Sequence, residues 1–555
     1  MRDDAEQADA FTTADPASVG PTRLDWLDVL PAVADCLRPY QRAQAESVAQ
    51  TMRDGFRRIL VQGATGSGKT HIIASIVGAA VEAGLPVLVL ATRSRLVRQL
   101  HERLQAFGIR HGVVSAALPH WRDYSAWVQI ASADTLHRRA VVDRHIPMPS
   151  AGVVLFDEAH LATADTRLGI LDSYPNAVRI GFTATPARKS GRSLGAAFDC
   201  LVMGPTVREL TAAGVLVRTR IFNTPVVSQR ELQGMPKDND NDYQGSALGE
   251  MLSRPKLVGD VLENWLRIAK GRRTLCFAVN KTHAAALLGE FSRNGISAEM
   301  LTDQDDEATR EEVIARLEAG QTQIVFNCFL LSYGADIPSV ECIVLARPTR
   351  SLTMYLQMVG RGLRPNPATG KAACILIDHG HCVENLGLPH SDFPWTLESG
   401  RNVNTEAMAT ARKGSAEAMR TCRDCAAIWM TSEQGNRCPC CGWTPAPRSK
   451  PVRVRQANLE ELTDTEQVTA MHPNVTRFYQ ECIGWNQKHK PAKWQEKPNS
   501  VRAACWYATR EKFKLTEERV PSRYWELPAL PASTDVSGYM KYRMIRYARS
   551  QSRAA

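Results

Sequence analysis

Gly63-Ala64-Thr65-Gly66-Ser67-Gly68-Lys69-Thr70 fits the pattern GxxxxGK[ST] at every fixed position. A short apolar run, residues 59–61, precedes this stretch, and a helical pattern over residues 71–81 follows it. A strand, a glycine-rich loop and a helix in this order predict a βα unit whose backbone N–H groups face a polyphosphate. The alternative, an ordinary glycine turn before a helix, is disfavoured because both the strand and the helix are present.

Different residues of this loop are predicted to contact different parts of a bound nucleotide. We predict that Lys69 reaches the β- and γ-phosphates and that the Thr70 hydroxyl binds Mg²⁺. The backbone curls around the phosphates where the glycines allow it, and the helix dipole adds positive potential. The predicted nucleotide contacts within the loop are Gly63, Thr65, Gly66, Ser67, Gly68, Lys69 and Thr70.

Apolar runs alternate with helical patterns on both sides of residue 240, which indicates two tandem α/β domains with parallel sheets. The first set includes Val87-Leu-Val-Leu and Val153-Val-Leu-Phe, and the second includes Leu275-Cys-Phe-Ala-Val and Cys374-Ile-Leu-Ile. The predicted organisation is a disordered acidic tail (1–22), a first domain (23–215), a second domain (216–385), a connector (386–418), a cysteine-rich module (419–445) and a basic, mainly helical domain (446–555).

An acidic pair follows the apolar run that starts at Val153. Asp157 and Glu158 stand where open α/β sheets bind ligands, at the carboxyl end of a predicted strand. Asp157 can hold Mg²⁺, and Glu158 can orient and deprotonate an attacking water. Such a pair alone often marks only a helix start, but together with the glycine-rich loop it indicates nucleotide hydrolysis.

Asp157-Glu-Ala-His160 and six further motifs resemble those of the DEAD/DEAH-box helicases of superfamily 2, over about residues 37–380. The resemblance implies two RecA-like domains that bind ATP between them. It also implies roles for further residues: base recognition by Arg38 and Gln41, nucleic-acid contacts by Thr92, Arg93, Ser132 and Thr135, coupling of hydrolysis to movement by His160, Thr183 and Thr185, and a ribose contact by Asp336.

Gln357-Met-Val-Gly-Arg-Gly-Leu-Arg364 resembles the QxxGRxxR motif of the same helicases. The resemblance implies that Gln357, Arg361 and Arg364 approach the γ-phosphate from the second domain. Negative charge spreads over the phosphoryl oxygens in the transition state, and an arginine there accelerates transfer by roughly 10³–10⁵-fold. The segment from Ala346 to Arg364 and the downstream cysteines are most similar to RadD-type and related phage helicases, although Ala159 stands where RadD-type proteins tend to have cysteine.

Two cysteine pairs, Cys422–Cys425 and Cys438–Cys441, are separated by twelve residues. Four thiolates at this spacing predict a structural Zn²⁺ site with no open position for catalysis. A redox dithiol and an iron–sulfur cluster are the alternatives, and Cys440 is an alternative ligand to Cys441. The remaining nine of the 14 cysteines read as small buried residues.

The last fifth of the chain carries nearly all of the net charge of +10, because residues 446–555 contain 20 Lys or Arg and 11 Asp or Glu. This region favours an anionic partner. Its aromatic residues could stack on bases, but the spacing of Trp506 and Phe513 favours a small helical core for those two.

No apolar run is long enough to span a bilayer, and the first residues lack the pattern of a signal peptide. The sequence therefore predicts a cytoplasmic protein of a bacterium or of a phage-infected cell, with no membrane partner. The favoured function is an ATP-, Mg²⁺- and Zn²⁺-dependent DNA helicase on single-stranded or branched DNA, with single-strand-binding, repair or replication proteins as further partners. The alternatives are a duplex translocase of a restriction or repair assembly, an RNA helicase, and a zinc-ribbon adaptor without hydrolysis.

Overall fold

The computed structural model describes residues 22–27, 36–162, 165–186, 194–238, 241–328, 337–393, 395–397, 419–445, 473–489, 498–515, 520 and 524–551. The chain divides into two compact units, residues 1–446 and 447–555. The predicted acidic tail lies almost entirely outside the described residues, as do Asp336 and most of the predicted connector.

A parallel sheet of seven strands forms the first half of the larger unit, in the order β3-β4-β2-β5-β6-β1-β7. Apolar residues fill its strands on both faces, because helices cover both sides. The strands are β1 (Arg58–Gln62), β2 (Val87–Ala91), β3 (Gly112–Val114), β4 (Val128–Ser132), β5 (Val153–Asp157), β6 (Val178–Thr183) and β7 (Cys200–Met203). The helices are α1 (Pro39–Arg53), α2 (Lys69–Glu82), α3 (Ser94–Ala106), α4 (Ala133–Leu136) and α5 (Asp165–Asp172). A short helix, α6 (Val207–Ala212), leads to the second sheet.

The second sheet has eight strands in the order β10-β11-β9-β12-β13-β8-β15-β14. Its first six strands are parallel, so the prediction of two tandem parallel-sheet α/β domains is confirmed. The strands are β8 (Arg218–Asn223), β9 (Thr274–Phe277), β10 (Ala298–Leu301), β11 (Ile324–Asn327), β12 (Cys342–Leu345), β13 (Ala373–Asp378), β14 (Met419–Thr421) and β15 (Ala427–Met430). The helices are α7 (Gln229–Gln233), α8 (Gly245–Leu252), α9 (Pro255–Ala269), α10 (Lys281–Arg293), α11 (Glu307–Glu318), α12 (Leu352–Gly360), α13 (Cys382–Leu386) and α14 (Thr431–Gln434).

The hairpin β14–β15 belongs to the second sheet. β15 pairs antiparallel with β8, where Ala427 is opposite Phe222 and Ile428 is opposite Ile221. Trp429 and Ala427 pack in the same apolar core as Phe222 of that sheet. The cysteine-rich module is therefore an extension of the second α/β domain, which the sequence did not indicate because these partners lie about two hundred residues apart.

Three helices make up the described part of the second unit: α15 (Pro473–His489), α16 (Pro498–Phe513) and α17 (Thr534–Gln551). Trp506 is buried among Tyr479, Cys482 and Tyr524, and Phe513 packs against the same core. These two aromatic residues therefore stabilise the helical packing, as the seven-residue spacing favours. None of the described helices combines the length and the apolar character that crossing a bilayer requires.

Candidate active site

The glycine-rich loop connects the end of β1 to the start of α2 at the carboxyl edge of the first sheet. The Gly63 N–H donates to the carbonyl oxygen of Thr183 at 2.9 Å, which ties the loop to the end of β6. Lys69 folds back over the loop, where its Nζ donates to the carbonyl oxygens of Gly63 (3.0 Å) and Ala64 (3.4 Å). The loop therefore holds its lysine at the position from which an ammonium group contacts phosphate oxygens.

Helix α1 clamps the loop from the side. The Gln41 amide nitrogen donates to the carbonyl oxygens of Ser67 (3.0 Å) and Gly68 (3.2 Å), and its amide oxygen accepts from the Arg38 N–H at 2.9 Å. Gly68 has a left-handed φ of 77°, and a Cβ there would lie 2.5 Å from the Gln41 amide nitrogen. The Tyr40 hydroxyl also donates to the carbonyl oxygen of Ser67, at 2.7 Å. Both ends of the Gln41 amide thus bind the protein itself, so a base contact by Gln41 requires an exchange of hydrogen bonds.

The acidic pair lies at the end of β5, beside Lys69. Burial and the neighbouring Glu158 carboxylate raise the pKa of Asp157. Burial also acts to raise the pKa of Glu158, but the contact with His160 and the positive charges of Lys69 and Arg361 outweigh it and lower that pKa. Glu158 is therefore the carboxylate held more firmly in its ionised form, which a base that accepts a proton from water requires.

Glu158 also has a left-handed backbone, with φ 55° and ψ 46°. Such a conformation costs a residue with a side chain on the order of 1–3 kcal/mol and occurs preferentially at functional sites. The sequence contains no signal for this strain, because the residue after a buried strand ordinarily leaves in an extended or helical conformation.

A chain of contacts connects Glu158 to the end of β6. Glu158 Oε2 lies 3.3 Å from His160 Nδ1, which lies 3.2 Å from Thr183 Oγ1. The Thr183 hydroxyl then donates to the carbonyl oxygen of Thr185 (3.2 Å) and accepts from the Thr185 N–H (3.1 Å). The structure thus brings together His160, Thr183 and Thr185, the three residues that the resemblance implies for coupling.

The second domain reaches this site through α12 and the turn after it. Gln357, Arg361 and Arg364 line a cavity of about 90 Å³ together with Lys69 and Glu158. The rest of its polar lining consists of Thr65, Gly66, Gly68, Thr70, Gln99 and Asp157. Burial lowers the pKa of the Arg364 guanidinium to about 10, so it stays charged at neutral pH.

The residues of the small cavity fit the phosphates of a nucleotide and a magnesium ion. The Gln357 amide is buried, and neither its nitrogen nor its oxygen has a hydrogen-bond partner among the described residues. The Ser67 hydroxyl, which lines the larger neighbouring cleft, is also buried without a hydrogen-bond partner among the described residues. Unsatisfied buried polar groups of this kind cost about 1–3 kcal/mol each unless a ligand completes them. The Thr70 hydroxyl and the Asp157 carboxylate provide the oxygen ligands that Mg²⁺ prefers.

A larger cleft of about 620 Å³ opens next to the phosphate end. Arg38, Tyr40 and Gln41 line it from the first domain, and Arg364 and Pro365 from the second. Helix α3 contributes Gln99 and Arg103, which the sequence reading missed. These two are four residues apart and so share a helix face, but this spacing is also that of an ordinary solvated surface.

The four predicted nucleic-acid contacts lie at or just beyond the carboxyl ends of two neighbouring strands. Thr92 and Arg93 follow β2, and Ser132 ends β4, where it is opposite Ala91 in the parallel register. Thr135 lies one helical turn after Ser132, and its hydroxyl accepts from a backbone N–H of residue 116 at 3.4 Å. The structure thus places these residues on one edge of the first sheet, with Arg93 exposed and Ser132 buried. Asp336 lies outside the described residues.

The predicted metal ligands form a compact cluster beside β15. The Sγ atoms of Cys422, Cys425, Cys438 and Cys441 all lie within 4.8 Å of one another. Sγ of Cys422 is 3.5 Å from that of Cys441, and Sγ of Cys425 is 3.7 Å from that of Cys438. Tetrahedral zinc with Zn–S bonds of about 2.3 Å requires sulfur–sulfur distances of about 3.8 Å, so the four thiols fit Zn²⁺.

The fifth candidate, Cys440, is exposed and lies outside that group. Its backbone N–H donates to Sγ of Cys438 at 3.4 Å. This hydrogen bond and one from the Cys441 N–H outweigh the effect of burial and lower the pKa of Cys438 to about 7. The structure therefore favours Cys441 over Cys440 as the fourth ligand.

Two family profiles match the chain in the two domains that form the site. Residues 35–188 match the family described as type III restriction enzyme, res subunit, and residues 256–366 match the helicase conserved C-terminal domain. The chain is thus similar to helicases in both of its α/β domains. This similarity agrees with the two sheets and with the resemblance of the motifs to those of superfamily 2.

Among the relatives of the chain, IRC3 of Saccharomyces cerevisiae, which carries an ATP-dependent helicase name, is 27% identical over 64% of this chain and 52% of its own length. The chain thus spans about half the length of that relative. A 51.5 kDa protein of a Lactococcus phage is 25% identical over 74% of this chain and 83% of its own length. A fragment assigned to the HsdR subunit of a type I restriction enzyme from Vibrio vulnificus has the same fold, with a TM-score of 0.51 and 22% identity over 66% of this chain and 68% of the fragment.

Proposed function

We propose that the chain is an ATP-dependent motor that moves on nucleic acid and separates DNA strands. One observation carries the proposal: Lys69 and Glu158 of the first domain share a single small cavity with Gln357, Arg361 and Arg364 of the second. Hydrolysis on such a site requires both domains, so each turnover can close and reopen the cleft between them.

Each residue has a proposed role in that reaction. Lys69 neutralises the β- and γ-phosphates, and Glu158 orients the attacking water and takes its proton. Arg361 and Arg364 stabilise the charge that spreads over the phosphoryl oxygens. Thr70 and Asp157 would hold Mg²⁺, which would neutralise phosphate oxygens when bound.

Coupling to movement runs through the contacts of Glu158. A change at the Glu158 carboxylate acts on His160, and His160 acts on Thr183, whose backbone also holds Gly63. The carboxyl edge of the same sheet also presents Thr92, Arg93, Ser132 and Thr135, which we propose as contacts to the nucleic-acid strand. We further propose base recognition in the larger cleft by Arg38 and Gln41, and a ribose contact by Asp336.

ATP hydrolysis by the purified chain tests this proposal. Single-stranded DNA should stimulate hydrolysis, and Lys69→Ala or Glu158→Gln should abolish it. Equal hydrolysis with and without nucleic acid, over a panel of single-stranded, forked and duplex DNA and of RNA, would refute the motor. Stimulation by RNA alone would refute the DNA assignment.

A second candidate is a motor that moves along duplex DNA without separating the strands. The match of residues 35–188 to a restriction-enzyme subunit family favours it. A strand-displacement assay run beside a triplex-displacement assay distinguishes the two functions, because only the duplex motor removes a third strand while it leaves the duplex intact. The cysteine cluster is proposed to bind structural Zn²⁺, and the likeness to RadD-type helicases stays a prediction.

A further inference from the structure

Six arginines lie on the strands, the helix and the loops that hold or adjoin the cysteine cluster. We name them the knuckle arginines: Arg218, Arg220, Arg267, Arg420, Arg423 and Arg437. All six are exposed. They come from β8, α9, β14 and the two CxxC loops, so their grouping is a product of the fold and is invisible in the sequence.

The register of the sheet puts three of them on the face that carries the cysteines. Phe222 is opposite Ala427, and Arg420 is opposite Trp429 two residues further along β15. Because side chains two residues apart on a strand share a face, Arg220 and Arg420 lie on the side of Phe222 and Trp429. Arg218 lies on the same side, two residues before Arg220.

Three knuckle arginines contact the two loops that carry the cysteines. Arg220 Nη2 lies 3.3 Å from Sγ of Cys440, and Arg437 Nε donates to the carbonyl oxygen of Gly442 at 3.3 Å. Arg267 Nη1 donates to a carbonyl oxygen of the first CxxC loop at 3.5 Å. A guanidinium group has five N–H donors, so each of these arginines keeps donors for a ligand while the contact restricts its motion.

The knuckle arginines lack direct acidic partners among the described residues. No ion pair connects any of the six to an acidic side chain within the described part of the chain. Residues 419–445 contain two acidic residues, and a zinc tetrathiolate has a formal charge of about −2. Within residues 419–445, three arginines stand against these two acidic residues and the tetrathiolate, so the surface offers an anionic partner guanidinium groups without acidic partners and not a net excess of positive charge.

We propose that the knuckle arginines form an accessory binding surface for the phosphate backbone of the nucleic acid on which the motor moves. The proposal rests on the proposed motor function. The guanidinium fork matches phosphate oxygens in pairs. A protein partner fits less well, because protein interfaces are anchored by large apolar or aromatic side chains, and no such side chain is exposed among the described residues of 419–445.

The position of the hairpin in the sheet gives this surface a mechanical role. β15 is hydrogen-bonded to β8, so the arginines move with the second domain when the cleft closes. The edge of the first sheet at Thr92 and Arg93 moves with the other domain. A backbone contact on each domain is what a motor needs to hold the strand while one domain advances.

The salt dependence of binding to a fluorescent dT20 single strand tests the surface. The variant Arg220→Gln, Arg420→Gln, Arg437→Gln is compared with Arg230→Gln, Arg254→Gln, Lys256→Gln, which removes the same charge from exposed positions of the same domain. Each phosphate contact to a single strand contributes about 0.7 to the slope of log K against log salt. The slope for the knuckle variant should be smaller in magnitude by about 2, and this variant should bind dT20 roughly tenfold more weakly than the wild type. Its zinc content and melting temperature should equal those of the wild type. The control variant should keep the slope.

An unchanged slope for the knuckle variant would overturn the proposal, as would an equal loss in both variants. Loss of binding to poly-glutamate with normal binding to dT20 would also overturn it and would assign the surface to an acidic protein. Stimulation of wild-type ATP hydrolysis by dT20, measured in parallel, separates the two hypotheses. If stimulation is normal and the slope is unchanged, the accessory surface fails while the motor stands.

Discussion

Gly360 of α12 and Thr65 of the glycine-rich loop are in such close contact that a Cβ on Gly360 would lie 2.5 Å from Thr65 Cγ2. The contact joins the two domains beside the catalytic cavity, and it leaves no room for a methyl group.

Substitution of this glycine should block closure. Gly360→Ala is expected to lower the DNA-stimulated kcat for ATP hydrolysis by about 10²-fold, because displacement of reacting groups by about 1 Å has that effect. The KM for ATP should change less than kcat, since the added methyl group meets Thr65 and not Lys69. Gly259→Ala in α9 is the control, because nothing lies within 4 Å of a Cβ at that position. A Gly360→Ala enzyme with wild-type kcat would contradict the contact.

Gln357 should show opposite effects on stability and activity. Its buried amide makes no hydrogen bond to the described residues, so Gln357→Leu should raise the free energy of unfolding by about 1 kcal/mol. The same variant should lower kcat at least tenfold. Gln129 is a suitable control, because its buried amide nitrogen donates to two carbonyl oxygens at 2.8 Å and Gln129→Leu should destabilise the protein. Denaturant unfolding and steady-state kinetics measure both effects; a destabilised Gln357→Leu would show that this amide has partners.

His160 and Thr183 should act as one unit in coupling. The variants His160→Ala, Thr183→Val and the double variant form a cycle in which DNA-stimulated kcat is measured. Because the two side chains are in contact at 3.2 Å, we expect an interaction energy of about 0.5–3 kcal/mol. Additive losses in the double variant would show that no coupling passes between them.

The identity of the fourth zinc ligand can be tested by substituting serine for each of two neighbouring cysteines in turn. Cys441→Ser should reduce bound zinc well below one ion per chain and lower stability by more than about 4 kcal/mol. Cys440→Ser should keep both zinc and stability, because Cys440 lies outside the four-thiol group. Metal analysis and thermal unfolding give the result, and the reverse pattern would assign the site to Cys440.

The local geometry around Lys69 follows from the sequence, because a strand, a loop and a helix that are adjacent in the chain determine it. The position of Lys69 and that of Asp157 follow from motif and strand together. Contacts between residues distant in the chain could not be predicted from the sequence. The hydrogen bond from Gln41 to the Ser67 carbonyl and the left-handed backbone of Glu158 both depend on packing that residue spacing does not reveal.

Local and distant contacts also differ in how well the sequence predicts them at the cysteine cluster. The ligand spacing predicted four thiols that the structure brings together. The attachment of the hairpin to β8 depends on a pairing across about two hundred residues, and the choice between Cys440 and Cys441 depends on the direction of side chains in one tight loop.

The attachment of β15 to β8 also determines what metal loss would do to the molecule. If the hairpin came away, β8 would become an open edge with unpaired N–H and C=O groups, which is a template for self-association. Arg218 and Arg220 on that strand would oppose such pairing through their like charges, as charged edge residues do in other sheets. Protein from which a chelator has removed zinc should therefore form reversible oligomers that salt promotes, while its nucleotide cleft stays intact. Self-association would then report on the state of the zinc site.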